Sequence, residues 1–300
     1  MPRRIAFINE KGGSGKTTLV ANLAAYLAAE RGQRILAIDM DPQGQLGKVL
    51  GMEIRRPERT SIELLVDGLL GEAPDRPESA PTGNDLPTRP TRVANLDLIV
   101  SNKALALFPG WTGEAGSSFR LRDRLDRAPE LARYDFVFFD APPSFGPLTL
   151  NVLCASDEVV VPCPLTFLAL DGCAELMRTL RMVRRRYERP DLRVSMVIPT
   201  FYRRTRLANE ILERLKQQFP KEIAHTVVGY HVKIDEAQSH GQSIFEYAPR
   251  DRAAATMAAL AEELEERSRP PLRVRSLAPP PAAEDSSSIR PEHVPLEETR

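Results

Sequence analysis

The sequence is poor in cysteine, in aromatic residues and in long apolar runs. Its 300 residues include three cysteines and one tryptophan, and aromatic residues make up 6%. The three cysteines, Cys154, Cys163 and Cys173, are odd in number and not closely spaced. This pattern excludes a disulfide-stapled secreted domain and indicates a reducing, cytoplasmic compartment. No window of about 18 apolar residues is free of charge, so no segment is predicted to span a membrane.

A net charge is also lacking, because 41 lysines and arginines balance 41 acidic residues. A neutral chain does not by itself predict a polyanionic partner, but the charges here are unevenly distributed. Between Arg178 and Arg206 there are ten arginines and only two acidic residues, Glu188 and Asp191. This stretch is therefore strongly basic within a neutral protein.

The remaining composition, with 42% hydrophobic and 27% charged residues, is that of a soluble globular protein. Short apolar runs alternate with helical patterns. The predicted strands are Ile5–Ile8, Ile35–Ile38, Leu96–Val100, Phe136–Phe139, Glu158–Val161, Val194–Ile198 and Thr226–Val228. Helices are predicted at Thr17–Arg31, Gly172–Tyr187 and Leu207–Phe219. Because most strands are continuously apolar, we expect an α/β fold with a doubly wound, mostly parallel sheet and helices on both faces.

Two stretches fall outside this order. Residues 72–92 contain five prolines and few apolar residues, which predicts a flexible surface insertion. Residues 268–300 contain seven prolines and mixed charges, which predicts a disordered tail. The predicted folded domain is therefore 1–267.

A glycine-rich segment, Gly12–Thr18, separates the first predicted strand from the first predicted helix, as in a phosphate-binding P-loop. Glycines let backbone N–H groups turn toward an anion, and the helix N-terminus adds unsatisfied donors. Lys16 is placed to reach the β- and γ-phosphates of ATP, and the Thr17 hydroxyl to ligate Mg²⁺. The predicted ATP-binding residues of the loop are Gly12, Gly13, Ser14, Gly15, Lys16, Thr17 and Thr18. The flanking strand and the Lys-Thr pair disfavour a plain turn.

Carboxylates follow two other predicted strands. Asp140 ends the strand Phe136–Phe139 and is predicted to hold Mg²⁺ through water, although a strand-terminal Asp can also only cap a turn. Asp39 and Asp41 follow Ile35–Ile38, and Asp39 is a further possible magnesium ligand through water. A carboxylate near the γ-phosphate can orient the attacking water, but Asp-Pro pairs also start turns, so both interpretations of Asp41 stay open.

Taken together, these motifs resemble one protein family. The segment Lys11–Thr17 resembles the deviant Walker A motif, with an extra lysine five residues before the usual one. The segment Asp39–Gly44 resembles the Walker A′ motif, and Asp140–Pro143 the matching Walker B motif. The set resembles the ParA/MinD family of positioning ATPases, which have the P-loop NTPase fold. The resemblance covers about residues 3–267 and is closest to the Soj-like ParA branch.

The resemblance implies a weak ATPase with ATP and Mg²⁺ as cofactors. It implies an ATP-dependent sandwich homodimer in which Lys11 binds ATP and reaches the partner's phosphates. Lys11, Lys16 and Asp41 would be the catalytic residues, with Asp41 positioning the hydrolytic water. The ATP dimer would bind double-stranded DNA without sequence preference, and a ParB-like or other adaptor protein would stimulate hydrolysis. The cargo would be a chromosome, plasmid or protein complex, and the protein would be cytoplasmic and nucleoid-associated.

The basic stretch supports the DNA interpretation independently. In the predicted helix Gly172–Tyr187, several arginines lie away from the apolar face, where phosphate contacts would give salt-sensitive, sequence-independent binding. Arg203, Arg204 and Arg206 are predicted to open the next helix, and Arg204 matches the family's DNA-contacting arginine. The predicted DNA-binding residues are Arg204, Arg206, Lys233, Arg178 and Arg181, with Arg185 on the same face and Arg184 at its edge. The alternative is a solvated helix face that contacts nothing.

One segment departs from the family pattern. Where ParA proteins usually carry Ile-Pro-Arg-Asn, this chain has Val228–His231, so the first basic residue is replaced by Tyr230 and the proline is absent. Lys233 keeps a charge at the second basic position. DNA affinity or base selectivity is therefore expected to differ, and Tyr230 is either stacked on adenine or packed in the fold.

The sequence disfavours two of three alternative functions. A MinD-like membrane anchor is disfavoured, because the chain ends in an acidic, proline-broken segment that cannot form a basic amphipathic helix. An iron–sulfur carrier is disfavoured because the cysteines lack ligand spacing, and they are predicted to be buried small hydrophobes. The third is an ATP-switched dimerising scaffold or cell-positioning regulator that does not depend on DNA.

Overall fold

Continuously apolar runs form the strands of one central sheet. The structure is a computed structural model and describes residues 1–52, 59–66, 85–108, 117–167 and 169–267. Within these residues the strands are β1 (Arg3–Phe7), β2 (Ile35–Asp39), β3 (Arg89–Pro90), β4 (Leu96–Ile99), β5 (Phe136–Asp140), β6 (Glu158–Pro164) and β7 (Arg193–Thr200). Their order in the sheet is β3-β4-β2-β5-β1-β6-β7. All neighbours are parallel except β3, which pairs antiparallel with β4 at one edge. The predicted doubly wound, mostly parallel sheet is confirmed.

Helices cover both faces of this sheet. They are α1 (Lys16–Ala29), α2 (Gln45–Val49), α3 (Arg120–Asp126), α4 (Pro147–Ala155), α5 (Ala169–Arg186), α6 (Arg206–Gln218), α7 (Val232–Ser239), α8 (Ile244–Tyr247) and α9 (Arg252–Arg267). One core cluster joins the sheet to α3, α4, α5 and α6, and the other joins it to α1, α2, α7, α8 and α9. Each large side chain buried in these clusters contributes roughly 1.5 to 3 kcal/mol of transfer free energy.

The strand order places the predicted motifs side by side. β1 leads into the glycine-rich loop and lies between β5 and β6, with Phe7 opposite Asp140. β2 flanks β5 on its other side, with Asp39 opposite Asp140. Since the strands are parallel, their carboxyl ends meet at one edge of the sheet, which is the usual ligand-binding edge of open α/β sheets.

One predicted strand is wrong. Thr226–Val228 forms no continuous ladder, and only isolated bridges connect this region to β7 and to the loop after it, at Ile223 and Gly229. The physical reason is local. The Glu263 carboxylate of α9 accepts hydrogen bonds from the backbone N–H groups of His225 and Thr226, which takes them away from a strand partner.

The predicted insertion and tail fall largely outside the described residues. This applies to residues 72–84 and to the tail 268–300. The structure differs from the prediction at the end of the insertion, where Arg89–Pro90 forms the antiparallel edge strand β3 and Leu86 is buried. A proline fits there because an edge strand leaves one side without ladder hydrogen bonds.

A close backbone contact gives a stability prediction. Gly51 has φ +70°, and a Cβ there would overlap the carbonyl oxygen of Gly241 and the guanidinium of Arg92. Gly32 has a similar φ, +66°, with nothing within 4 Å of its Cβ position. We expect Gly32→Ala to cost about 1 kcal/mol and Gly51→Ala roughly 3 kcal/mol or more of unfolding free energy, because only the second adds steric overlap to strain. Urea unfolding of both variants measures the difference, and equal costs would contradict it.

Candidate nucleotide-binding site and basic surface

The glycine-rich loop connects β1 directly to α1. Gly13 and Gly15 have φ of 68° and 92°, backbone conformations that residues with a Cβ rarely adopt. Gly15 is also the N-cap of α1, and no side chain caps the helix. The first N–H groups of α1 therefore lack an intrahelical acceptor and face the loop, which makes this helix end an anion site.

Asn9 holds the loop in place, although it is not among the site residues predicted from the sequence. Its side-chain amide donates to the carbonyl of Pro162 on β6 at 2.6 Å, and its side-chain oxygen accepts from the backbone N–H of Lys11 at 2.8 Å. The Asn9 carbonyl accepts a third hydrogen bond from Lys16 Nζ at 3.1 Å. The only sequence signal was an Asn at a strand end, a residue that commonly bonds the backbone two residues on.

The two lysines of the loop have opposite environments. Lys16 is 6% exposed, and burial lowers the pKa of its ammonium group, while the charges of Asp140 and Asp41 act in the other direction. Lys11 is exposed, and its Nζ lies 3.3 Å from the hydroxyl of Thr166 in the loop after β6. Lys16 thus belongs to the interior of the site, and Lys11 to its outer surface.

Thr17 and Asp140 form a pair suited to a divalent cation. The Thr17 hydroxyl donates to Asp140 Oδ2 at 2.7 Å. Asp140 is 1% exposed, and its second oxygen, Oδ1, is buried with no hydrogen-bond partner among the residues that the structure describes. Burial raises the pKa of Asp140 to about 7, against the opposing effects of Thr17 and Lys16. A buried, unsatisfied carboxylate oxygen beside a hydroxyl fits Mg²⁺, whose charge would favour the ionised acid.

Asp39 and Asp41 have different surroundings. Asp39 is fully buried, and its two oxygens accept from the N–H groups of Asp41 at 3.0 Å and Leu46 at 3.1 Å. Burial and the nearby Asp140 raise its pKa well above the ordinary value. Asp41 is partly exposed, and its Oδ1 accepts from the N–H of Gln43 at 2.9 Å. Asp39 therefore organises the turn into α2, and Asp41 is a partly exposed carboxylate whose charge acts on Lys16.

A cleft beside the loop is lined by residues from several elements. Its lining includes Gly15 and Thr18, the aromatic residues Phe201 and Tyr230, and Met257 of α9. The Phe201 ring lies 3.7 Å from the Cβ position of Gly15. Tyr230 is 48% exposed rather than packed in the core, and its hydroxyl donates to Asp235 at 3.0 Å. The packed alternative for Tyr230 is therefore wrong.

Two side-chain hydrogen bonds that the sequence did not predict hold α7 and α8 against α1. Gln238 of α7 donates from Nε2 to the Thr18 hydroxyl at 2.7 Å. Asn22 of α1 accepts from the N–H of Ile244 at 2.8 Å. The cleft adjoins the phosphate loop because Gly15 and Thr18 are part of its lining.

Comparison with known proteins bears on this site. Residues 2–194 match the protein family described as an AAA domain. The chromosome-partitioning ATPase Soj of Thermus thermophilus is 39% identical over 267 residues, covering 87% of this chain and 95% of the relative. The sporulation initiation inhibitor protein Soj of Bacillus subtilis is 37% identical over 267 residues, covering 88% and 98%. The chain belongs to the ParA/MinD family, in its Soj-like branch.

A solved structure has a similar fold. The structure of cobyrinic acid a,c-diamide synthase from Mycobacterium smegmatis, with bound ADP and magnesium, is 28% identical. It aligns with a TM-score of 0.68 over 87% of this chain and 93% of its own. The predicted P-loop NTPase fold of the family is thus confirmed. Soj of Thermus thermophilus is named a chromosome-partitioning ATPase, and ParA relatives from Myxococcus xanthus and Caulobacter vibrioides are named chromosome partitioning proteins.

In this Soj-like chain the basic stretch lies mainly on α5. Arg178, Arg181 and Arg185 are exposed, while Leu176 and Leu180 are buried on the opposite face. The first three, with Met182 and Arg186, line a shallow groove. Arg178 and Arg185 are seven residues apart, so the arginine strip runs about 10 Å along the helix. The predicted exposed basic face is therefore present.

The other predicted DNA-binding residues lie elsewhere. Arg204 is exposed in the loop between β7 and α6, and no described acidic residue forms an ion pair with it. Arg206 begins α6 and pairs with Glu210 at 2.9 Å. Lys233 is the second residue of α7, a helix on the other face of the sheet from α5. It pairs with Glu236 at 2.7 Å. The prediction that Arg203 and Arg204 open the helix is wrong, because Thr205 is its N-cap.

The cysteines are buried, as predicted. Cys154, Cys163 and Cys173 are each at most 1% exposed. Cys154 lies on α4, whereas Cys163 and Cys173 have their sulfur atoms 3.1 Å apart. Across the described ranges, no helix is both long enough and apolar enough to cross a bilayer.

Proposed function

We propose that this chain is a ParA-like ATPase that dimerises with ATP, binds DNA non-specifically and positions or segregates a cargo. One observation carries the proposal. The loop holds a buried lysine, Lys16, and an exposed lysine, Lys11, beside the half-buried Thr17 and its buried partner Asp140. The buried set suits one ATP·Mg²⁺, and the exposed lysine is free to contact a second protomer.

Nucleotide binding would use three kinds of group. The backbone N–H groups at the start of α1 and Lys16 would hold the phosphates. Thr17, Asp140 and, through water, Asp39 would hold Mg²⁺, which neutralises charge on the phosphates. The cleft lined by Phe201 and Tyr230 would take the adenine between aromatic and apolar surfaces.

Hydrolysis would depend on Asp41. Asp41 is partly exposed, and one oxygen of its carboxylate accepts a hydrogen bond from the N–H of Gln43. The other oxygen would orient the attacking water or accept its proton. Lys16 and Lys11 would stabilise the negative charge that develops on the transferred phosphoryl group.

DNA binding would use the arginine strip of α5 together with Arg204. Guanidinium groups on an exposed face can contact successive phosphates without reading bases. An adaptor protein of the ParB type would stimulate hydrolysis and release the dimer from DNA. The protein would then be cytoplasmic and nucleoid-associated, and its cargo a chromosome, a plasmid or a protein complex.

The DNA proposal is tested by mobility shift or fluorescence anisotropy with arbitrary duplexes, ATP and Mg²⁺. We expect ATP-dependent binding that weakens steeply with salt. Combined substitution of Arg178, Arg181 and Arg185 by Ala should make the negative slope of log K against log salt shallower by roughly 2 to 3, because each phosphate contact contributes about 0.9 to its magnitude. Arg204→Glu should weaken binding to all sequences alike.

Arg34→Glu is the matched control for charge. Arg34 is exposed and precedes β2, at the opposite edge of the sheet from the loop. Its substitution changes the net charge as much as Arg204→Glu does, but it should leave DNA affinity close to that of the wild type. Equal losses in both variants would mean that the protein's overall charge, and not this surface, sets the affinity.

A second candidate function is an ATP-switched dimerising scaffold or MinD-like positioning regulator that does not depend on DNA. The observation that favours it is the pairing of Arg206 with Glu210 and of Lys233 with Glu236, which leaves two predicted DNA contacts neutralised. Under this alternative the ATP dimer forms normally, and the arginine substitutions change neither DNA affinity nor localisation.

A further inference from the structure

Two cysteine sulfurs lie in contact in the buried core, between the strand that anchors the phosphate loop and the helix that follows that strand. Cys163 is on β6 and Cys173 on α5, and their Sγ atoms are 3.1 Å apart in the buried core. A disulfide bond is about 2.05 Å long, so the sulfurs would need to approach by only about 1 Å. The structure contains no disulfide at these positions.

The third cysteine provides an internal comparison. Cys154 is as buried as the other two, but it lies on α4. Burial raises the pKa of its thiol to about 12. At the pair, the hydrogen bond between the sulfurs lowers the pKa of Cys173 and, together with burial, raises that of Cys163. The contact between the two sulfurs therefore favours ionisation of one thiol of this pair, a stabilisation for which Cys154 has no counterpart among the described cysteines.

We propose that Cys163 and Cys173 form a reversible dithiol modification site, which hydrogen peroxide oxidises to an intramolecular disulfide. One thiolate of the pair attacks a peroxide oxygen, the O–O bond breaks, and a sulfenic acid and one water form once the thiol proton is transferred. The second sulfur of the pair then attacks the sulfenic sulfur, the S–S bond forms, the S–O bond breaks, and a second water leaves. Two thiols are oxidised and one peroxide is reduced to two waters.

Access and geometry both fit a small oxidant. Thr166 and Phe167, three and four residues after Cys163, are exposed, so the chain reaches solvent within a few residues of the pair. A local opening of this segment would admit a molecule of the size of peroxide more readily than a bulkier alkylating reagent.

The position of the pair connects it to the nucleotide loop. Cys163 follows Pro162, whose carbonyl accepts the 2.6 Å hydrogen bond from Asn9. Cys173 is on the same helix as the arginine strip. A disulfide would therefore tie the beginning of α5 to the strand that anchors the loop. This inference goes beyond the proposed function and does not depend on it.

The test uses the full-length reduced protein and peptide mapping. The protein is treated with increasing hydrogen peroxide, remaining thiols are trapped with N-ethylmaleimide under denaturing conditions, and it is digested without reductant. We expect a cross-linked Cys163–Cys173 peptide, a loss of two thiols with a mass lower by two hydrogen atoms, and full reversal by dithiothreitol. Cys154 should remain alkylatable, and Cys154→Ser should oxidise as the wild type does.

Cys173→Ser should lose the intramolecular link, with its melting temperature measured to confirm folding. The wild-type map decides the matter even if this variant is unstable. A link that involves Cys154, a link between two chains, equal oxidation of all three cysteines, or conversion to sulfinic acid without any cross-link would each overturn the proposal.

Discussion

Asp41→Ala is expected to reduce ATP turnover by roughly 10² to 10⁴, the range in which a positioned general base contributes to catalysis. Asp41 lies at the end of β2, two residues after the buried Asp39, and its Oδ1 is held by Gln43 at 2.9 Å. The buried contacts that are proposed to hold ATP·Mg²⁺ do not include its side chain. Nucleotide affinity and the ATP-dependent dimer should therefore persist while hydrolysis is lost.

Phosphate release and binding of a fluorescent ATP analogue separate these effects. Asp140→Ala is the contrasting variant, because it removes the proposed magnesium anchor and should weaken nucleotide binding itself. Asp135→Ala is the matched control, since Asp135, like Asp41, is a partly exposed acid, and it lies just before β5. Near-normal turnover in Asp41→Ala would remove Asp41 from its proposed role, and equal loss in Asp135→Ala would point to a general charge effect.

The parts of the site that follow directly from local sequence were predictable. A glycine-rich turn between a strand and a helix, and an Asp at the end of an apolar strand, each have a local physical reason. Parallel strands then bring Asp140 next to the loop, and the register of β1 with β5 confirms that placement.

The parts that depend on contacts between distant residues were not predictable. Asn9 bonds Pro162, and Gln238 bonds Thr18, across separations of 153 and 220 residues. A single sequence carries no local signal for either bond. The same limit explains the false strand Thr226–Val228, whose β-branched composition favours a strand. The Glu263 carboxylate of α9 accepts hydrogen bonds from the backbone N–H groups of His225 and Thr226, at the start of this segment.

The environments of the charged residues were also predictable in part. The exposure of the arginines on α5 follows from helical periodicity, since Leu176 and Leu180 define the buried face. Arg206 and Lys233 also looked available in the sequence. Their partners Glu210 and Glu236 lie four and three residues further on, a spacing at which helical side chains meet. Exposed pairs of this kind contribute little stability, so phosphate can still compete for these cations.

Lys11→Ala is expected to abolish ATP-dependent dimerisation while leaving ATP binding by the monomer. Lys11 is exposed, whereas Lys16, on the same loop, is buried and bonded to the Asn9 carbonyl. Among the residues that the structure describes, the hydrogen-bond partner of Lys11 Nζ is the Thr166 hydroxyl, at 3.3 Å. A charged hydrogen bond to a partner's phosphate in a closed interface contributes about 1.5 to 3 kcal/mol, and a twofold dimer contains two of them. Losing both should raise the dimer dissociation constant by roughly 10² to 10⁴.

Analytical ultracentrifugation with ATP and Mg²⁺ measures this change, ideally in the Asp41→Ala background so that turnover does not empty the site. Lys221→Ala is the matched control, because Lys221 is an exposed lysine just after α6. Lys16→Ala should instead lose nucleotide binding, and with it dimerisation, which separates a failure to bind ATP from a failure to bridge protomers. If Lys11→Ala dimerises as strongly as Lys221→Ala, the lysine does not cross the interface, and ATP must stabilise the dimer through other residues.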